Sequence, residues 1–304
     1  MRPDVSFILP VFEKADVLPA VVRALAAQRF DGVAEYVFVD DASTDGSAAV
    51  LRAAADRLPN VRVLENARNA GPSVRLNQGA AVAEGRFFCL IDADELIAPD
   101  GLAAMLRLLA NDGADFAHGK VAKTDLAANE IVPAPVGEAP DHEASDAPLK
   151  TILGGRGFVR MAWLVDADLY RAAGGADEAI FIQDESLPLR LAAKARRFVD
   201  MRAAMTYAPR GANHLSANRA QQHHDRFLAY YHLLRDNPGL PGGLARTARR
   251  KCVSAAWKAA REGGFARSQG AILPAYLAAG LGLGAPDLDG LAAAFAAMPG
   301  VRRA

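Results

Sequence analysis

The chain has 304 residues, and its 35 basic and 35 acidic side chains cancel to a formal charge of zero. That balance argues against broad nucleic-acid binding, which needs a basic surface, and two cysteines, Cys89 and Cys252, are too few for a disulfide scaffold or a cysteine-based zinc site. No window offers about 18 uninterrupted apolar residues, and the opening "MRPDVSFILPV" is too short and polar for a secretory leader, so a cytoplasmic protein is expected.

The first hundred residues alternate between two kinds of pattern. "VSFILPV" (Val5–Val11) reads as a buried strand, and "ADVLPAVVRALAAQ" places Val17, Val21 and Leu25 at helical spacing. "EYVFVDD" is a second strand ending in acids, and "STDGSAAVLRAAADRL" opens with capping residues and continues as a helix. "VRVLEN" is a third strand, "GPSVRLNQGAAVAEG" a third helix between glycines, and "RFFCLID" a fourth strand followed by a helix from about Pro99 to Leu109. Repeated strand–helix units of this length predict an α/β fold, a mostly parallel, Rossmann-like sheet flanked by helices. In such sheets ligands bind beyond the carboxyl ends of the strands, where both acidic clusters, Asp40–Asp41 and Asp92–Asp94, fall.

Residues Val121–Lys150, rich in Pro, Ala and acids, read as a long loop or lid. Order returns with "RGFVRMAWLVDADLYRAAGGADEAIFIQDESLPLRLAAKA". From about Ser216 the pattern is helical, with Phe227, Tyr230, Tyr231 and Leu234 expected to pack onto the preceding domain and His223 and His224 expected at the surface. Leu244–Arg267 is predominantly basic, which suits either the wet face of helices or a peripheral contact with an anionic membrane.

Two carboxylates one residue apart, Asp92 and Asp94 flanking Ala93, can converge on one divalent cation where a chain bends after a strand. Mg²⁺ or Mn²⁺ prefers such oxygen ligands together with substrate phosphates and would offset the repulsion among the acids. The plainer reading is a solvated turn whose acids cap the next helix. In "VFVDDAST" a carboxylate could accept from the N3–H of a uracil or thymine ring, while Asp41, Ser43 or Asp45 could instead cap the following helix. "QDES" by itself reads as a helix start decorated with acids that suit the helix dipole. Trp163 could stack on a sugar or lie in the core.

In order and at this spacing, "SFILPVFEKADVLPAVVRALAAQ", "VFVDDASTDGS", "NAGPSVRLNQGAAVAEGRFFCLIDADE" and "GGADEAIFIQDESLPLRLAAKA" resemble the family 2 glycosyltransferases, over roughly Val5 to Tyr207. The resemblance implies the GT-A nucleotide-diphospho-sugar transferase fold in residues 1–215 and a helical C-terminal extension in 216–304. It implies sugar transfer from a nucleoside-diphosphate sugar, most readily UDP-linked, to a hydroxyl of a glycan or lipid-linked acceptor in cell-surface polysaccharide or lipopolysaccharide assembly. It places Pro10, Phe12 and Glu13 by the nucleoside, Asp41 on the base, Arg75 near the diphosphate or nucleotide pocket, Asp92 near the ribose, and Asp94 on a Mn²⁺ or Mg²⁺ ion, with Ala93 between them. His214 is its candidate third metal ligand or diphosphate contact. Similar inverting enzymes open a helix with Glu-Asp and carry an Arg six residues after the Asp; here Gln183-Asp184 and Arg190 stand in that register. Asp184 is then the candidate general base, with Glu185 its competitor and Gln183 a departure from the family's usual Glu. Two rivals stay open: a non-catalytic nucleotide-sugar or glycan-binding module, and a nucleotidyltransferase, against which counts the absence of a glycine-rich phosphate loop in "PVFEKAD".

Overall fold

The structure, a computed structural model, describes residues 2–155, 160–209, 218–263 and 287–296, with positions 272, 274, 298 and 300–302. Its first half follows the strand–helix alternation of the sequence: β1 (Val5–Val11), α1 (Leu18–Ala26), β2 (Ala34–Asp40), α2 (Ser47–Ala53), β3 (Val61–Glu65), α3 (Pro72–Val82) and β4 (Phe87–Ile91). These strands pair in parallel in the order β3-β2-β1-β4. Beyond β4 come β5 (Leu96–Ile97), α4 (Gly101–Asp112), β6 (Phe116–Lys123), β7 (His142–Ser145), α5 (Pro148–Gly154), β8 (Ala162–Asp166), α6 (Ala167–Ala172), α7 (Gln183–Ala192) and β9 (Phe198–Ala208). This half is mixed: β8 runs antiparallel between β4 and β6, whereas β6 and β9 are parallel.

Alternation in the strands feeds two apolar layers. Phe7 and Leu9 of β1 face one side with Val21 and Leu25 of α1 and Met105 of α4. Ile8, Val37 and Val39 face the other with Leu76 of α3, Tyr170 of α6 and Leu187 of α7. A sheet covered on both faces needs apolar residues at both parities, which is why β1 reads as a continuous hydrophobic run. Helix α3 lies especially close, since a Cβ added at Gly79 would sit 2.5 Å from the Ile8 side chain.

The segment expected as a lid over Val121–Lys150 is instead partly built into the sheet and partly packed on it. β6 continues to Lys123, and β7 adds antiparallel to β9. Ala128 and Ile131 are buried against the first layer. The Asp100 carboxylate, just ahead of α4, accepts from the Val136 and Gly137 N–H groups at 2.7 and 2.9 Å. Proline and acids obscured the strand, but the eleven-residue β9 offers edge enough to pair with β6, β7 and β5.

After β9 lie α8 (Arg219–Asp236), α9 (Gly242–Glu262) and α10 (Leu288–Phe295). Phe227, Cys252, Val253, Ala256 and Phe295 form their shared core, while Ala229 and Leu233 of α8 and Ala248 of α9 join the second layer of the main sheet. His224, expected at the surface, is buried because α8 is covered on several sides; its Nδ1 lies 2.8 Å from Asp225. Trp163 is fully buried on β8 between Phe116 and Phe198, and its indole N–H donates to the Arg160 carbonyl at 2.7 Å. It is a core residue, closed to a sugar.

Candidate active site

Five chain segments meet at the carboxyl ends of β1, β2 and β4. The first two are the loops after β1 and β2, which clamp each other. Glu13 Oε1 accepts from the Thr44 N–H and hydroxyl at 2.8 and 3.0 Å, and Ser43 Oγ accepts from the Glu13 N–H at 3.0 Å. Asp45 accepts from the Ala15 and Ser47 N–H groups, each at 2.9 Å, so of the proposed capping residues it is the one bonded to the start of α2. Glu13 (φ 52°) and Ala42 (φ 63°) both sit in the left-handed region, which costs a non-glycine residue energy and tends to mark functional loops. Pro10 lies in β1 opposite Val39, and Phe12 presents 40% of its surface to solvent.

Asp41 organises the third segment, the turn into α3. Its Oδ1 accepts from the Ala70 N–H at 2.8 Å and from Arg75 Nε at 2.6 Å; its Oδ2 accepts from the Gly71 N–H at 2.9 Å. Gly71, at φ 86°, supplies the backbone geometry that aims this N–H. Arg75 spends its other nitrogens on the Gln78 side chain and the Arg68 carbonyl, so it is held beside Asp41. A carboxylate offers about four lone-pair sites, and the Ala70, Gly71 and Arg75 donors take three of those on Asp41, whose side chain keeps 4% of its exposure.

The fourth segment is the acidic turn after β4. Asp94 Oδ2 receives the Lys14 ammonium at 2.5 Å. Glu95, which the sequence left without a task, is buried and accepts from the Thr206 hydroxyl of β9 at 2.5 Å, tying the turn to the far strand. Ala93 turns its methyl into the core, leaving only its backbone for any ligand. Asp92 is half-buried and accepts from Gln183 Nε2 at 3.3 Å.

Gln183 and Asp184 open α7, the fifth segment. Asp184 Oδ1 and Gln183 Oε1 are buried without a protein partner, whereas both oxygens of Glu185 are held by Arg226 of α8 at 2.7 and 2.8 Å. The two base candidates thus differ sharply: Glu185 is an interior ion pair, and Asp184 keeps an oxygen free to accept a proton. Arg190, six residues after Asp184, donates to the Gly175 and Gly174 carbonyls at 2.8 and 3.1 Å and braces the loop before α7.

The crowding is visible in the electrostatics. Burial, then the charges of Asp184, Glu95 and Asp94, raise the Asp92 carboxyl well above its ordinary range, with Lys14 opposing. Burial raises Asp184 to about 7, reinforced by Glu185 and opposed by Arg160. Burial lifts Glu95 to about 8 although its bond from Thr206 works against it. Asp92 and Asp94 offer hard oxygen donors two residues apart in a field that calls for positive charge, which fits Mn²⁺ or Mg²⁺ held by one or two carboxylates and completed by phosphate oxygens. Among the described residues there is no closed cluster of three such ligands, and His214 lies outside the described residues. Sequence reasoning missed Lys14, Thr206, Arg160 and Arg226. Lys14, beside Glu13 in the loop after β1, and Arg160, in the stretch ahead of β8, stood within stretches already quoted.

A family model described as Glycosyl transferase family 2 matches residues 6–161. The succinoglycan biosynthesis protein ExoO of Rhizobium meliloti is 35% identical over 125 residues, 41% of this chain and 33% of that protein. The chain spans about a third to half the length of the first curated relatives it matches. Among solved structures, S. aureus TarS 1-349 in complex with UDP-GlcNAc superposes with a TM-score of 0.70 at 19% identity, over 96% of this chain and 84% of that one. The mannosyltransferase PcManGT of Pyrobaculum calidifontis, in complex with GDP-Man and Mn²⁺, gives 0.58 at 18% identity, over 98% and 80%.

Proposed function

Since this chain belongs to glycosyl transferase family 2 and has the GT-A fold, we propose that it is an inverting glycosyltransferase that moves a sugar from a nucleoside-diphosphate sugar to an acceptor hydroxyl. The observation that carries this reading is the free Asp184 oxygen at the start of α7, beside Gln183, which itself bonds Asp92 of the acidic turn. UDP is the preferred donor nucleotide, as in the UDP-GlcNAc complex of TarS, with the Asp41 carboxylate suited to the N3–H that uracil shares with thymine.

In the proposed reaction Asp184 takes the proton of the acceptor hydroxyl as its oxygen bonds to the anomeric carbon. The bond from that carbon to the phosphate oxygen breaks on the opposite face, and the nucleoside diphosphate leaves with the electron pair. The configuration inverts because attack and departure are on opposite faces. Burial suits Asp184 to this work, since a base near 7 is half ionised at neutral pH. Asp94, with Asp92 beside it, would hold Mn²⁺ or Mg²⁺, which supplies positive charge to the departing diphosphate. Pro10, Phe12 and Glu13 would border the nucleoside, with Arg75 holding Asp41 in place. Lys14, the cation resident at Asp94, is the nearest described partner of the acid turn.

The proposed division is a catalytic domain in 1–215 and a helical extension in 216–304, with α8 joining them. The proposed acceptor is a glycan or lipid-linked hydroxyl in cell-surface polysaccharide or lipopolysaccharide assembly, and the Rhizobium relative, named for succinoglycan biosynthesis, supports its polysaccharide side. Among the described residues no helix is long and apolar enough to cross a membrane. The exposed cations of α9, Arg246, Arg249, Arg250, Lys258 and Arg261, support a peripheral position at the inner face of the membrane.

Thermal-shift measurements with UDP-, GDP- and dTDP-sugars, each with and without Mn²⁺, test the donor. A UDP-sugar that raises Tm only with Mn²⁺ supports the reading, and hydrolysis or transfer of that sugar establishes chemistry. No shift with any nucleotide sugar overturns it. Tight donor binding with no turnover, acceptors being supplied, would favour a binding module.

A further inference from the structure

The Lys14–Asp94 pair combines a fixed anchor with a mobile charge. The Lys14 N–H donates to Ser47 Oγ at 2.9 Å, the next N–H donates to Asp45 Oδ2 at 2.9 Å, and Glu13 before it is held in the left-handed region at φ 52°. The Lys14 backbone is therefore tied to the loop after β2 on either side of its Cα, and adjustment is left to its four-carbon stem. The ammonium reaches Asp94 Oδ2 at 2.5 Å, and the two side chains retain 19% and 9% of their exposure.

Lys14 brings a single positive charge to Asp94, and the neighbouring Asp92 accepts from the neutral Gln183 amide. A divalent cation brings twice the charge and binds carboxylate oxygen directly. It cannot take Asp94 Oδ2 while an ammonium sits 2.5 Å from that atom, so the two cations exclude each other there. Once displaced, the Lys14 ammonium stays at the carboxyl ends of β1 and β4, where parallel-sheet enzymes receive their ligands. It is a compact charge on a flexible stem, well suited to phosphate oxygen.

We infer that Lys14 is a resident cation on Asp94 that a divalent metal displaces and that then meets the donor's diphosphate, so that metal and nucleotide bind cooperatively through it. The inference rests on the proposed donor reading and deepens it. It makes Lys14 a binding residue with two successive partners. Asp94 is shielded against metal arriving alone, and metal arriving with nucleotide releases a cation that is used at once. By linkage, whatever nucleotide does for metal affinity, metal does equally for nucleotide affinity.

The test is calorimetric titration of Mn²⁺ and of UDP, each with and without the other, on the full chain and on Lys14→Met, Lys14→Arg and Asp94→Asn. Lys14→Met keeps most of the stem but removes the competitor. It should bind Mn²⁺ alone about tenfold tighter, bind UDP in the presence of Mn²⁺ about tenfold more weakly, and leave UDP alone unchanged, so the coupling factor falls about tenfold. Lys14→Arg should stay close to the parent. Should Lys14→Met fold poorly, Lys14→Gln gives the same comparison. Mn²⁺ affinity that is unchanged or weaker without Lys14, while Asp94→Asn still loses Mn²⁺, would overturn the exchange and leave the donor reading standing. Mn²⁺ bound equally by Asp94→Asn would overturn the metal reading and the exchange with it.

Discussion

Arg226 of α8 grips both carboxylate oxygens of Glu185 on α7, at 2.7 and 2.8 Å, directly beside Asp184. Removing one partner of an interior ion pair leaves the other uncompensated, at about 3–5 kcal/mol. Glu185→Gln should therefore lower Tm clearly, by equilibrium unfolding or calorimetry. Asp184→Asn should leave Tm unchanged or higher while lowering turnover about 10²- to 10⁴-fold, with donor affinity kept. If Glu185→Gln instead abolished turnover in a stable protein, the base assignment would move by one residue.

The ionisation of Asp184 predicts the pH profile. Its carboxyl must be charged to accept a proton, so kcat/KM should rise with pH through a limb at or below about 7, well above an ordinary aspartate. The limb should shift downward when a divalent cation stabilises the ionised acids. Stability runs the other way. Between the ordinary carboxylate range and about 7 the folded state holds a proton that the unfolded state has lost, so the Asp184 contribution to stability falls as pH rises across that window. Tm measured across that range should show a smaller fall in Asp184→Asn.

Gln183 is neutral where similar enzymes carry a glutamate, and its amide donates to Asp92 at 3.3 Å. Restoring the acid by Gln183→Glu adds a like charge beside Asp92. The variant should match the parent at pH 5, where the new carboxyl can be protonated and donate, and lose stability progressively towards pH 8. Equal Tm differences at both pH values would dismiss the repulsion.

Asp41 satisfies two backbone N–H groups and Arg75 at once. Asp41→Ala strands all three donors and should cost about 3–5 kcal/mol by breaking the buried pair. Asp41→Asn keeps the shape and one acceptor oxygen, so it should fold and bind UDP more weakly than the parent by calorimetry.

The α9 cations predict salt-sensitive binding to anionic vesicles. Sedimentation with phosphatidylglycerol vesicles at low salt should be lost in Arg246→Glu/Arg249→Glu/Arg250→Glu, with donor binding unchanged. Equal sedimentation of parent and variant would assign those charges to solvent alone.

The parallel half of the fold was legible because β1, β2 and β4 are largely apolar runs that alternate with helices, with β2 and β4 running into acids. The candidate site was legible only as far as Asp41, Asp92 and Asp94 stand at strand ends. What braces its segments was not. Lys14, Thr206 and Arg226 are ordinary residues whose importance comes from contacts 80, 111 and 41 residues away in the chain, and spacing carries no trace of such contacts. β7, with the sequence "HEAS", has no strand-like pattern and exists because β9 offers it an edge. His224 looked polar and exposed beside His223, but it is buried with the Phe295 ring of α10 packed 6.2 Å from its own, a neighbour far from it in sequence.

The Asp225 carboxylate of α8 accepts from the Ile182 N–H at 2.8 Å, immediately ahead of α7, one residue before Arg226 takes Glu185. The start of α7, and with it the orientation of Asp184, is thus written forty residues downstream. A chain growing from its N-terminus can form the Asp41–Arg75 cluster early, since its partners Arg68, Ala70, Gly71 and Gln78 all precede β4. The start of α7 stays unbraced until α8 has been made. On the proposed reading, a chain truncated before α8 would keep the donor's binding groups and lose the placement of Asp184, so donor binding and donor use would separate in the order of assembly.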